Sequence, residues 1–220
     1  MNISALHLQS CLNRVAEVTA LFQKMFPDAH PDFKSVDKLA QTIKAYCGVQ
    51  NLRLLEALPK DIGAAQGMII RKDFKDYVIL TVSGLPGDLE RYVTCKELFH
   101  IVLDDAEYVD MDIATHIDGM LPAFRIDDHR PPASVAAEYL GEIAAMEFLY
   151  PRARRLEDVQ ANVSFADSAK RFGVPENVVK FYRAARNLEN LDPVVVEEAV
   201  ARINTQVSAL EKAQAKLKAP

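Results

Sequence analysis

The hydrophobic pattern of this chain changes period twice, and that constrains its fold more than any other feature. Leu8, Leu12, Val15, Val18, Leu21, Phe22 and Met25 recur at helical spacing, predicting an amphipathic helix over 4–26 that stops at Pro27 and Asp28-Ala29-His30-Pro31. A second helix is expected from Ser35, a natural N-cap, to Tyr46, with Gly48 at the stop. The period then shortens. Asn51–Leu58, Gln66–Arg71 and Tyr77–Ser83 are brief apolar runs bounded by Pro, Gly and Asp, which is how strands read. The last two flank a charged turn over 72–76 and predict a hairpin, with 51–58 as a third strand. From residue 88 the helical period returns. Grouped strands followed by helices imply an α+β fold with a small antiparallel sheet packed on helices, not an alternating βαβ chain.

Length fits this picture. At 220 residues the chain holds one domain, or one with a small appendage. Its eight glycines assemble neither G-x-G-x-x-G nor G-x-x-x-x-G-K-[ST], which excludes a Rossmann fingerprint and a P-loop at motif level. Cys11, Cys47 and Cys95 are widely spaced and odd in number, as reduced thiols of a cytoplasmic protein would be. The N-terminal apolar pattern is interrupted by Gln9, Asn13, Arg14 and Glu17, so it does not read as a signal peptide, and no apolar stretch reaches membrane-spanning length.

Charge is unevenly distributed. The total is 26 − 31 = −5, but 104–128 carries Asp104, Asp105, Glu107, Asp110, Asp112, Asp118, Asp127 and Asp128 against Arg125 alone, and reads as a solvated connection. A helix over 134–150 follows, framed by Pro131-Pro132 and Pro151. Residues 151–190 then hold eight basic and five acidic residues, a net +3. Within them 165–172, Gly173-Val174-Pro175 and 176–187 read as helix, turn, helix. Lys180, Arg183 and Arg186 fall at i, i+3 and i+6 there: a phosphate-contacting stripe on one reading, a solvated or partner-facing surface on the favoured one. After Asp192-Pro193, Val196, Val200, Ile203, Val207, Leu210, Gln214 and Leu217 form a short heptad seam. It packs on its own domain or pairs two chains as a homodimer.

The sharpest chemical signal is Lys96-Glu97-Leu98-Phe99-His100. In H-E-x-x-H, two His residues four apart lie about 40° apart around a helix and share one metal, while the Glu polarises the metal-bound water. Glu97 and His100 occupy two of those three places; Lys96 occupies the first His position. His7 and His30 lie outside this pattern and read as surface residues, and Glu142 and Glu147 as helix-face charges.

The wider context resembles the ImmA/IrrE family of zincin-like metallopeptidases. Arg91-Tyr92 leads into the Glu97–His100 helix as an arginine-aromatic pair does in that family. The segment from Glu138 to Pro151 is similar to its later helix, which begins with a metal-ligand Glu and closes on F-A-x-x-L-L-x-P. Ala169-Lys170-Arg171-Phe172-Gly173-Val174-Pro175 is similar to its A-x-x-F-G-V-S segment. The resemblance covers roughly 1–190. It implies a zincin-like domain over 1–151, a helix-turn-helix-like extension over 152–190 and a C-terminal helix over 191–220. It also implies that His100 and Glu138 are metal ligands and Glu97 a general base.

Lys96 departs from that pattern. A catalytic zinc takes three protein ligands and an open position, and a protonated lysine is not one of them. Cys95 lies five residues from His100, about 140° around the helix; His116 or His129 would have to supply the missing ligand. The alternative is that the Lys96 ammonium takes the place of the metal charge and neutralises Glu97 or Glu138. The expectation is then a degenerate metallopeptidase with no cofactor, regulating a repressor-type protein partner in a prophage, mobile-element or stress circuit. An active zinc peptidase that cleaves a repressor and a DNA-binding regulator acting through 165–187 are the alternatives.

Overall fold

The computed structural model describes residues 5–59, 66–73, 75–103, 133–198, 200–201 and 205. Helix α1 (Ala5–Met25) buries Val15, Val18 and Phe22 of the expected stripe together with Cys11; Leu8, Leu12 and Leu21 are partly buried and Met25 is exposed. Helix α2 (Val36–Cys47) begins where Ser35 Oγ accepts from the Lys38 N–H and ends at Gly48, whose φ of 64° is the left-handed stop its sequence calls for.

Strands β1 (Asn51–Leu58), β2 (Gly67–Asp73) and β3 (Asp76–Val82) follow. Their order is β1-β3-β2, with β2 and β3 antiparallel but β1 and β3 parallel. The sheet is therefore mixed, correcting the antiparallel expectation. Strand β3 is the cause: it leaves the hairpin and inserts between β2 and β1, in the direction of β1. It is the most continuously apolar strand, with Tyr77, Val78, Ile79 and Val82 all buried, and the centre of a sheet is where such a strand loses most water.

Helix α3 (Gly87–Val102) and helix α4 (Ala133–Leu149) form the heart of the molecule. Tyr92, Val93, Cys95, Leu98, Phe99, Ile101 and Val102 of α3 are buried, so it is surrounded on nearly every side. Phe148 of α4 meets Phe22 edge-on at 5.3 Å and Phe99 at 5.7 Å, joining three helices at one aromatic contact. Lys34, buried nearby, donates from Nζ to the Phe148 carbonyl at 2.7 Å, and burial pushes its ammonium down to about 8.

The chain continues through α5 (Arg152–Gln160), α6 (Phe165–Phe172), α7 (Glu176–Tyr182) and α8 (Ala185–Asn190). Ser164 caps α6, and Gly173 (φ 58°) ends it where a Cβ would strike Phe33 and Arg91. The single helix expected over 176–187 is two. The backbone breaks at Arg183-Ala184, where Ala184 is extended (φ −58°, ψ 134°). The break lets the Arg183 guanidinium reach back to the Val163 carbonyl at 2.9 Å, while Leu188 and Leu191 turn into the core. Asp192 caps the last helical stretch through the Val194 N–H, and Val196 and Val200 are buried against the same chain. The acidic block at 104–128, His116, His129 and the heptad positions Ile203, Val207, Leu210, Gln214 and Leu217 lie outside the described residues.

Candidate functional site

Helix α3 presents Lys96 and His100 on one face, one helical turn apart, and α4 places Glu138 opposite them. Lys96 Nζ lies 2.6 Å from Glu138 Oε2 and 3.0 Å from Glu97 Oε1. His100 Nε2 approaches the other Glu138 oxygen at 3.4 Å. One carboxylate thus spans an ammonium and an imidazole. The side chains of Lys96, Glu138 and His100 keep 15%, 27% and 13% of their surface, whereas Glu97 keeps 2%; the cluster is partly exposed, with Glu97 beneath it.

The electrostatics follow from this geometry. Burial works against charge on both Lys96 and Glu138, yet their mutual attraction wins. Glu97 and Glu138 hold the Lys96 ammonium above the ordinary lysine range, and His100 and Lys96 hold the Glu138 carboxyl well below the usual carboxylate range. Glu97 Oε1 and His100 Nε2 are buried atoms that no hydrogen bond of good geometry reaches, although each lies within ion-pair distance of a neighbour.

Two glycines, unremarked in the sequence, set these positions. A Cβ on Gly141 would stand 2.8 Å from His100 Cε1 and 2.9 Å from Nε2, so the imidazole lies against bare backbone of α4. A Cβ on Gly67 would stand 2.5 Å from Val93 Cγ1 and 2.9 Å from Glu97 Oε1, so the start of β2 closes over Glu97. Nothing in a single sequence distinguishes these close approaches from loop or helix glycines. Glu142 also belongs here. Burial pushes its carboxyl up, and Lys96, Glu138 and His100 are near enough to act on it. Glu147, by contrast, is structural: it pairs with the fully buried Arg155 and accepts from the Arg152 N–H at 3.0 Å.

Among the described residues the cluster offers fewer than the three protein ligands a catalytic zinc takes. Among the described residues His100 and Glu138 are the donors the resemblance assigns, and the third place holds an ammonium bonded to one of them. No group of three or more His, Cys, Asp or Glu side chains among the described residues is placed to hold a metal.

Lys180, Arg183 and Arg186 do not share one helix. Lys180 lies on α7 and pairs with Glu176 at 2.7 Å; Arg183 is the cap residue and points inward; Arg186 is exposed on α8. The +3 of 151–190 is largely consumed internally. Arg152 pairs with Asp192, Arg154 with Glu157, Arg155 with Glu147, and Arg171 with Asp32 and Asp158.

Fold and site together describe a mixed α+β protein with a lysine-centred charge cluster between two central helices. The chain matches no protein-family model and has no significant match among curated proteins. Among the described residues, no helix is long and apolar enough to cross a membrane.

Proposed function

We propose that this chain is a metal-free, zincin-like regulatory protein that binds a protein partner of the repressor type through the partly exposed surface around Lys96. The observation that carries the reading is the Lys96 ammonium, held 2.6 Å from Glu138 and 3.0 Å from Glu97. It supplies a fixed positive charge where the resemblance puts a metal. An ammonium neutralises the paired carboxylates but has no vacant orbital to activate a water, so the arrangement favours recognition over hydrolysis. Glu97, the base of the peptidase motif, is nearly inaccessible and faces that ammonium.

Zinc titration of the purified full chain, read by calorimetry, tests this. The expected result is no stoichiometric binding at micromolar zinc, and one site per chain in Lys96→His. One zinc per wild-type chain at sub-micromolar affinity would overturn the proposal in favour of a peptidase completed by His116 or His129.

A further inference from the structure

The first turn of α3, the loop carrying Phe33 and the α6–α7 turn enclose an open cavity of about 470 Å³. This is in the size range of small-ligand sites. Arg91, on its wall, lies five residues before Lys96, about 7.5 Å along α3 and about 140° around it, so the cavity is separate from the Lys96 cluster.

Four charged residues line this cavity, and their bonding is unequal. Of the two acids, Glu176 pairs with Lys180 at 2.7 Å, while Asp88 Oδ1 accepts from the Leu89 N–H at 3.0 Å and keeps its charge, so two cations face one unpaired carboxylate. The two cations are not neutralised. Arg91 donates only to main-chain carbonyls, those of Lys34, Phe172 and Gly173, and its buried Nε has no hydrogen-bond partner. Among the described residues, no carboxylate lies within ion-pair distance of Arg91 or Lys170. Carbonyl dipoles fix the Arg91 guanidinium in place without cancelling its charge. Beside it stands Phe33, 50% exposed, with that guanidinium 4.2 Å from its ring centre and Gly173 against its edge. A large apolar ring left in water beside two uncompensated cations is a surface that a flat anion would complete.

The geometry points to a ligand site in this cavity for a small organic anion: a carboxylate or phosphate monoester borne on a planar ring. The anionic group meets Lys170 and the Arg91 edge, and the ring lies on Phe33. Such a ligand bridges α3 to the α6–α7 turn and stabilises their docking by mass action.

Calorimetric titration of the full chain with phenyl phosphate and with benzoate tests it, with inorganic phosphate and benzyl alcohol as controls. At least one ring-bearing anion binds one-to-one with a Kd of ~0.1–1 mM, and both controls bind at least about tenfold more weakly. Preference between the two anions identifies the source as phosphoester or carboxylate. Lys170→Glu weakens binding at least about tenfold by reversing an exposed charge. Gly87→Leu weakens it at least about tenfold, because Gly87 lines the cavity and a Cβ there meets no atom within 4 Å, so the added side chain is accommodated and takes up ligand space. Both variants melt with the parent. Absence of saturable binding by either anion, equal binding of a control, or undiminished binding in either variant overturns the assignment. None of these outcomes depends on the zinc titration.

Discussion

Two polar clusters lie at opposite ends of α4, and they are built differently. At its C-terminal end Asp158 Oδ2 accepts from Tyr150 Oη and Ser168 Oγ, each at 2.6 Å, and Oδ1 meets Arg171 at 3.3 Å. Arg183 adds bonds to Ser168 Oγ and the Asp158 carbonyl. Both oxygens of this carboxylate are occupied, and Asp158 and Ser168 are sealed from water. Near the N-terminal end, the Lys96 cluster is partly open and its buried Glu97 Oε1 and His100 Nε2 lack good hydrogen bonds. The Asp158 carboxylate is sealed with both oxygens bonded and ties helices together, although Arg183 Nε beside it has no hydrogen-bond partner; the Lys96 cluster keeps Lys96 and Glu138 partly exposed to solvent.

The largest test of this contrast is Asp158→Ala. It leaves the buried Tyr150 and Ser168 hydroxyls without their acceptor and removes one of the two carboxylates that Arg171 meets, and should cost about 3–5 kcal/mol in urea denaturation. A loss under 1 kcal/mol would mean that the sealed cluster is not the structural tie described here.

Lys96→Met comes next, at about 1.5–3 kcal/mol near pH 7. Its pH dependence is diagnostic. The folded Glu138 carboxyl lies below its ordinary 4.5, so its contribution is present above that pH and is lost as pH falls through the folded value. The Lys96→Met penalty should therefore shrink below about pH 4.5 in paired denaturation curves; a penalty constant from pH 7 to 3 would show that Lys96 acts by packing alone.

Gly141→Ala should cost about 1–3 kcal/mol in urea denaturation by crowding His100. An unchanged stability would separate His100 from α4. Lys180→Ala is the smallest effect, within about 0.5 kcal/mol, since its pair with Glu176 is an exposed one.

Much of this was legible in the residues. Ser35 and Gly48 bracket α2, Ser164 and Gly173 bracket α6, and the three strands lie where the period shortens. The spacing of Lys96 and His100 also predicted one face shared by both, and the reading of Lys96 as a stand-in charge anticipated its contact with Glu97 and Glu138. Less was visible where partners are distant. Lys180, Arg183 and Arg186 read as one outward stripe, yet Arg183 turns inward to the Val163 carbonyl; elsewhere in the same stretch Arg155 is fully buried and Arg171 reaches back to Asp32. Charge counts carry no information about which side chains meet. Glu147 and Glu142 read alike, but one pairs with a buried arginine and the other sits beside the Lys96 cluster.

The division has a physical basis. Helix starts, stops and periods are fixed by sterics and hydrogen bonds within a few residues, so sequence alone determined the elements and placed Lys96, Glu97 and His100 on one helix. Sheet order, the break at Arg183-Ala184 and the meeting of Lys96 with Glu138, 42 residues away, depend on how those elements pack. Only the tertiary structure decided them, because the free energy that selects one partner over another comes from burying surfaces no local stretch contains.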